Sequence, residues 1–437
     1  MLEKKNNAVK SVTYKDGELY FAENKISDLG DNFDTPLYIM NEDIIVERCR
    51  LVKDCAVKYF GKNSRVYYAS KAASFKHIYK IINDEGLFAD VVSKGEIYTA
   101  LNASFPPEKL CFHSNNKTDG DIKYAIENRV GLFVCDNEDE LLSVQKIAEK
   151  LGAIQKILIR LTPGIDPHTF KEVDTAGENS KFGVSVKSGA AKHLTELALH
   201  LKNIELCGFH CHIGSQIFDN GAYIKACGIC LDFIHDIYIS TGFESRELDL
   251  GGGFGVAYTE IQNDLDIEKL FAELSDFIAE KTKNLGIKMP RISFEPGRYI
   301  VSGAGITVYT VGSVKKTSGG KIYVSVDGSM ADNPRFCLYK ARYTLLPCKS
   351  GSSNGMLCDV VGRCCESGDI IAENTYLPDD IKRGDRIICL CTGAYNYSMS
   401  SNYNRLPRPC VIMIKNNTPY IAVRRETLED IIRNDEE

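Results

Sequence analysis

The stretch VYYASKAASFKHIYKIINDEGLFADVVSKGE, residues 66–96, decides the fold. It opens on an apolar, β-rich run, Val66-Tyr-Tyr-Ala69, that stops abruptly at Ser70-Lys71. A longer helix-like pattern follows, and a second β-rich run, Leu87-Phe-Ala-Asp-Val-Val92, leads into Ser93-Lys-Gly-Glu96. Working outward, the same unit recurs at Lys109-Leu-Cys-Phe112, Gly131-Leu-Phe-Val134, Lys156-Ile-Leu-Ile-Arg160, Leu206-Cys-Gly-Phe209, Glu247-Leu-Asp-Leu250 and Arg291-Ile-Ser-Phe294. Amphipathic stretches such as Glu138–Leu151 and Asp266–Leu285 lie between them. Short strand patterns alternating with helical ones predict parallel strands joined by crossover helices. Eight in series predict an α/β chain closed into a (β/α)8 TIM barrel; an open doubly wound sheet normally strings together fewer.

After Glu295 the texture changes. Residues 299–437 are rich in Val, Ile, Tyr and Thr, with turn signals at Ser318-Gly-Gly320, Ser350-Gly-Ser-Ser353 and Lys382-Arg-Gly384. That pattern predicts a second, mostly antiparallel β domain. Leu19-Tyr-Phe21 and Thr35-Pro-Leu-Tyr-Ile39 are also strand-like. The expected division is therefore a barrel over 36–295 and a β domain built from 1–35 and 296–437.

The net charge of −6 over 437 residues argues against nucleic acid as a partner, since phosphate backbones need a basic surface. Met1–Lys15 contains no apolar run that could serve as a signal peptide, and no stretch approaches the roughly 18 apolar residues of a membrane span. A soluble, cytoplasmic protein with no membrane partner is expected, its 16 cysteines reduced. Cys227-Gly-Ile-Cys230 has no second CxxC or His pair nearby, so these thiols read as small buried hydrophobes and no metal site is expected. Cys207, Cys211, Cys389 and Cys391 read the same way.

In a barrel of this kind, catalytic groups sit where strands end and loops begin. Here the strands run into Ser70-Lys71, Asp90 with Ser93-Lys-Gly-Glu96, His113-Ser-Asn-Asn-Lys117, Arg160, His210-Cys-His-Ile-Gly-Ser215, Gly251-Gly-Gly253 and Glu295-Pro-Gly-Arg298. A triple glycine lets backbone N–H groups approach a phosphate, although a tight turn uses the same residues. Lys71 could be a surface lysine with a buried stem, but beside an anion site it suits imine formation with an aldehyde. Glu295 opposite would keep a pyridine nitrogen protonated, and a ring between them could stack on His212. Lys71, His212, the glycines and Glu295 together describe a pyridoxal phosphate site.

The ordered motifs Tyr68-Ala-Ser-Lys71-Ala, Asp90-Val-Val-Ser-Lys-Gly-Glu96, His210-Cys-His-Ile-Gly-Ser-Gln216, Asp249-Leu-Gly-Gly-Gly253, Glu295-Pro-Gly-Arg298, Cys365-Glu-Ser-Gly-Asp369 and Gly393-Ala-Tyr-Asn-Tyr-Ser-Met399 span nearly the whole chain. They resemble the fold-type III pyridoxal-phosphate decarboxylases (alanine racemase-like barrels), specifically the diaminopimelate decarboxylase family. The resemblance implies decarboxylation of meso-diaminopimelate to L-lysine and CO₂, the last step of lysine biosynthesis. It implies that Lys71 carries the cofactor, His212 stacks on it and Glu295 pairs with its nitrogen. Ser215, Gly252, Gly253, Gly297, Arg298 and Tyr395 would surround the phosphate, with Asp90 and Arg160 orienting the site. Cys365, the proton donor, and Glu366 would enter from the partner subunit of an obligate homodimer. For the substrate's far end, Arg298 and Arg335 offer forked donors to a carboxylate and Glu366 accepts from an ammonium, with Tyr339 and Tyr395 lining the pocket.

The chain departs from the family where Phe336, rather than the usual Pro, follows Arg335, and where Phe254 stands at a common Leu position. Neither change removes a charge, so both bear on pocket shape. The competing readings are a related decarboxylase for carboxynorspermidine, ornithine or a D-amino acid, a racemase in which Cys365 would deprotonate, and a non-catalytic cofactor carrier.

Overall fold

The structure, a computed structural model, describes residues 11–165, 180–259, 262–351 and 354–436. The first ten residues and the Ser352-Ser353 part of one expected turn lie outside the described residues. The chain divides into two compact units, a barrel unit of Arg48–Gly255 with Asp264–Tyr299, and a β unit of Met1–Glu47, Val256–Asn263 and Ile300–Glu437.

The barrel's eight strands are Arg65–Ala69, Phe88–Val91, Leu110–Phe112, Leu132–Cys135, Gln155–Thr162, Ile204–Cys211, Glu247–Asp249 and Arg291–Phe294. Each pairs in parallel with the next, and the ring closes where Ser293 and Phe294 of strand eight meet Arg65 and Val66 of strand one. All eight runs singled out in the sequence become barrel strands. Their near-continuous apolar character follows from burial on both faces, as parallel strands under crossover helices require. Tyr67, Cys111, Leu132, Val134, Leu158 and Cys207 pack together as one core cluster.

The crossover helices start on side chains that satisfy otherwise orphaned N–H groups: Ser93, Thr118, Asn137, Asp219 and Asp266 each accept from the first turn. Strand eight leads only into a four-residue turn, Arg298–Val301. A helix from before strand one, Glu42–Phe60, fills the missing place at its C-terminal end. There Phe60 packs on Phe271 and Phe294, and the Tyr59 carbonyl accepts from Ser275 Oγ at 2.8 Å.

In the β unit, one sheet runs in the order Ile370–Pro378, Gly355–Val361, Ile322–Val326, Gly305–Lys316, Leu37–Asn41, Cys410–Lys415, Thr418–Val423. Arg386–Leu390 pairs with both Gly305–Lys316 and Leu345–Pro347. The pairings are antiparallel except for Ile322–Val326 with Gly355–Val361 and Leu37–Asn41 with Cys410–Lys415.

The boundaries expected from sequence need correction. Leu37–Asn41 lies between two strands of this sheet, so the first division falls at Glu47/Arg48 rather than at 35/36, and the last at Tyr299/Ile300 rather than at 295/296. All five of its residues are buried. A strand buried on both faces looks alike from its sequence whether it belongs to a barrel or to the middle of a sheet. Cys227 and Cys230 are buried with free thiols in the apolar helix Asn220–Thr241. No helix among the described residues is long and apolar enough to cross a membrane.

Candidate active site

Strand one ends at Ala69, whose N–H donates to the Pro296 carbonyl after strand eight, and the chain then tightens into a single 3₁₀ turn, Ser70–Ala72. Ser70 and Ala72 are buried, which turns the Lys71 side chain outward from the strand end. Its ammonium works on several neighbours. Burial and the Glu295 charge push the Asp90 carboxyl well up, against the pull of Lys71 and Arg160. Burial and the Lys71 charge push the His212 ring well down, so His212 is neutral. Burial likewise lowers Arg160, against the charges of Asp136, Glu295 and Asp90. Lys71, Asp90, Arg160, His212 and Glu295, drawn from strands one, two, five, six and eight, therefore share one electrostatic site.

At its floor lies Glu295, 7% exposed. His113 Nε2 is 2.7 Å from one carboxylate oxygen, and His210 Nε2 donates to the other at 3.0 Å. Burial pushes the Glu295 carboxyl up, but the two imidazoles beside it outweigh that and hold it well below the carboxylate range. Burial lowers both histidines, His113 to about 4. His210 Nδ1 has no partner among the described residues, which suits an uncharged ring that carries its proton on Nε2. The result is an anion held between two neutral imidazoles, His210 donating to one oxygen and His113 lying close to the other. Asp249, close by, is pushed well up by burial and by the Glu295 charge, so one acidic group of the pair carries the negative charge.

Two glycines shape the rim. A Cβ on Gly252 would lie 2.0 Å from the Glu295 carbonyl oxygen, and one on Gly253, at φ +90°, 2.0 Å from that of Gly214. Only bare backbone lets the loops after strands six, seven and eight converge this closely. Beside them the Arg298 guanidinium, 7% exposed, donates to Ser215 Oγ from Nη2 at 2.8 Å and from Nε at 3.3 Å. Gly297 packs against Ala69 of strand one, where a Cβ would be 2.8 Å from the Ala69 Cβ.

Some strand-end polar groups serve the scaffold instead. Ser93 Oγ accepts from Glu96 N while Glu96 Oε2 accepts from Val92 N at 2.7 Å, a reciprocal helix cap. Lys117 is buried and donates to Glu140 Oε1 and to the Val134 carbonyl, each at 2.7 Å, which ties the third strand's loop to the fourth strand. These clusters are positional without being chemical.

In the β unit, Arg335 opens a short helix, Arg335–Tyr339, and is 5% exposed. Its Nη1 donates to Tyr258 Oη at 3.0 Å and Tyr343 Oη at 2.6 Å, and its guanidinium carbon lies 5.9 Å from the Tyr395 ring centroid. Tyr395 adopts φ +64°, a strained conformation for a non-glycine residue. Tyr339 is half-buried at the end of the same helix. Cys365 and Glu366 are exposed on a loop anchored by Asp369, whose carboxylate accepts from Met330 N at 2.6 Å and Cys364 N at 2.7 Å. Part of the Cys-Glu-Ser-Gly-Asp motif is thus structural.

The sequence alone assigned no role to His113, His210, Tyr258, Tyr343 or Asn396. His210 carried a signal: it lies near the end of strand six, two places before His212 in the loop that follows. Tyr258 and Tyr343 carried none, because they meet only through the tertiary fold.

The family model for "Pyridoxal-dependent decarboxylase, pyridoxal binding domain" matches residues 42–302. The chain is 40% identical to the diaminopimelate decarboxylase of Bacillus subtilis, covering 93% of this chain and 92% of that one. It is 38% identical to that of Staphylococcus aureus, over 96% of this chain and 98% of the other. Among solved structures, diaminopimelate decarboxylase from M. jannaschii in co-complex with L-lysine superposes with a TM-score of 0.91 at 30% identity, covering 98% of each chain. A match of this identity and coverage places the chain in the diaminopimelate decarboxylase family of pyridoxal-dependent decarboxylases.

Proposed function

We propose that the chain is a carboxy-lyase that converts meso-2,6-diaminopimelate to L-lysine and CO₂, with pyridoxal phosphate attached at Lys71. The observation that carries the reading is the 40% identity to a diaminopimelate decarboxylase along 93% of the chain. The residues present fit the cofactor. The Gly252-Gly253 backbone brings the loops after strands six, seven and eight together at the rim, Ser215 and Arg298 supply donors for a phosphate, and Glu295 is an ionised acceptor for a protonated ring nitrogen.

Bound pyridoxal phosphate supplies the electron sink for the pair left behind when a Cα–carboxylate bond breaks. The chain does the rest. Lys71 would hold the group through its Nζ amine, the nucleophile that suits an aldehyde. Glu295, fixed as an anion by His113 and His210, keeps a proton on the heterocycle's nitrogen. Asp90 and Arg160 orient this floor, and the neutral face of His212 is a stacking surface. Arg298, bonded to Ser215, and Arg335 receive oxyanions, and Tyr339 and Tyr395 line the substrate's path. Cys365 returns a proton to Cα and Glu366 accepts from the distal ammonium. Both are exposed on their own chain, which supports their delivery into the site of a second subunit and hence a homodimer that works through shared sites.

Purified protein supplied with pyridoxal phosphate should release CO₂ and L-lysine from meso-diaminopimelate. Carbon dioxide from ornithine or carboxynorspermidine in preference would move the assignment to a neighbouring family. Lys71→Ala should leave no borohydride-reducible pyridoxyl adduct at position 71 and no turnover; a surviving covalent adduct elsewhere would overturn the lysine assignment.

A further inference from the structure

Arg335 is a buried cation whose surroundings are only half complete. A guanidinium carries five N–H donors. Two, on Nη1, go to the phenol oxygens of Tyr258 and Tyr343, while Nε and Nη2 bond to no described residue. No carboxylate among the described residues forms an ion pair with it, although the side chain is 5% exposed. The rings of Tyr258 and Tyr343 stand 5.1 and 5.6 Å from the guanidinium carbon, which offsets part of the lost hydration through cation–π attraction. Tyr343 supplies no charge: burial pushes its phenol up, so it is neutral. A buried guanidinium without an anion is costly, so the geometry calls for an anionic ligand.

The clamp also fixes which edge is open. With Nη1 held, the Nε–Nη2 edge remains, and two parallel N–H groups there match a carboxylate bidentately. The phenols are themselves locked. Tyr343 Oη donates to Asn396 Oδ1 at 3.2 Å, Ser302 Oγ donates to Tyr258 Oη at 3.2 Å, and the two rings meet edge-on at 5.6 Å. Asn396 is fully buried and its Nδ2 has no partner among the described residues, so this corner holds donors in excess of acceptors.

We propose that Tyr258 and Tyr343 are positioning residues that aim the Arg335 fork, making a carboxylate at the far end of the substrate the feature this chain selects. The proposal rests on the reading that Arg335 receives substrate. A ligand without that carboxylate leaves the fork buried and unmatched, which is how a site built for a polar group rejects an analogue lacking it.

The test compares two inhibitors of the holoenzyme, L-lysine, which carries the far carboxylate, and cadaverine, which does not. In Tyr343→Phe the KM for meso-diaminopimelate and the inhibition constant of L-lysine should each rise about tenfold, the size expected for one hydrogen bond to a charged group. Inhibition by cadaverine, kcat and cofactor absorbance should stay near the unsubstituted values. Tyr258→Phe should behave in the same way and serves if the first variant folds poorly. Equal weakening of both inhibitors, or of neither, overturns the clamp. Arg335→Gln separates the two levels. If it leaves the KM unchanged, the reading of Arg335 as a substrate residue fails; if it raises the KM while neither tyrosine variant does, only the clamp fails.

Discussion

Glu295 in the barrel unit and Arg335 in the β unit are both charges less than a tenth exposed, yet the chain surrounds them in opposite ways. Each Glu295 oxygen lies beside an imidazole Nε2, so the anion's charge is answered within its own unit. Arg335 is held by one nitrogen, and its forked edge has no partner among the described residues. A charge completed by its own chain is set to act on a group that stays in place through every turnover. A charge left incomplete favours binding a ligand that arrives and leaves. The contrast also explains their neighbours: rigid N–H donors stabilise a fixed anion, whereas aromatic rings shelter a cation without neutralising it.

The sharpest way to break the comparison is to remove the barrel's charge. Glu295→Gln replaces an anion by an amide whose NH₂ must face an imidazole N–H, and it removes the counter-charge for a protonated heterocycle. Turnover should fall on the order of 10²- to 10³-fold while the borohydride-reducible adduct at Lys71 persists. A loss of less than about tenfold would mean the floor's charge is not what drives the step. Leaving the anion and taking away one donor should do less. His113→Phe keeps a ring but removes an N–H, so the carboxyl of Glu295 should rise and the acid limb of kcat should move to higher pH, with about a tenfold loss at neutral pH. An acid limb that stays in place would show that His113 does not set the ionisation of Glu295.

How much of this was legible beforehand follows from the range of the forces involved. The barrel was readable because each strand and helix is a local pattern repeated eight times, and because strand ends are fixed by strand order. Lys71, His212 and Glu295 stood out for the same reason, as chemical groups at predictable places. The histidine clamp was half visible, since His210 sits two residues from His212, but the residue they converge on lies 85 positions further along the chain. The tyrosine clamp was invisible: Tyr258, Tyr343 and Asn396 belong to three separate segments, brought together only by the packed sheet. Leu37–Asn41 was misplaced because burial on both faces erases the alternation that separates one kind of strand from another.

The smallest effect lies in stability rather than turnover, and it again sets one unit against the other. Burial lowers His113 in the barrel to about 4, below its ordinary value of 6.5. Burial raises Asp332 in the β unit from 3.8 to about 7, against hydrogen bonds from Tyr309 Oη at 2.8 Å and Ser329 N at 2.6 Å. Between pH 4 and 6.5 the unfolded chain binds more protons at position 113 than the folded one, so that group makes stability rise with pH. Between pH 3.8 and 7 the folded chain binds more protons at position 332, so that group makes stability fall as pH rises. In the native protein the two slopes oppose each other. The midpoint of thermal unfolding of Asp332→Asn, taken relative to the unsubstituted chain, should therefore climb from pH 4 to 7, while that of His113→Phe should decline from pH 4 to 6.5. Parallel profiles for the two variants would show that these buried groups do not titrate as their surroundings require, and the contrast between the two units would then be one of geometry alone.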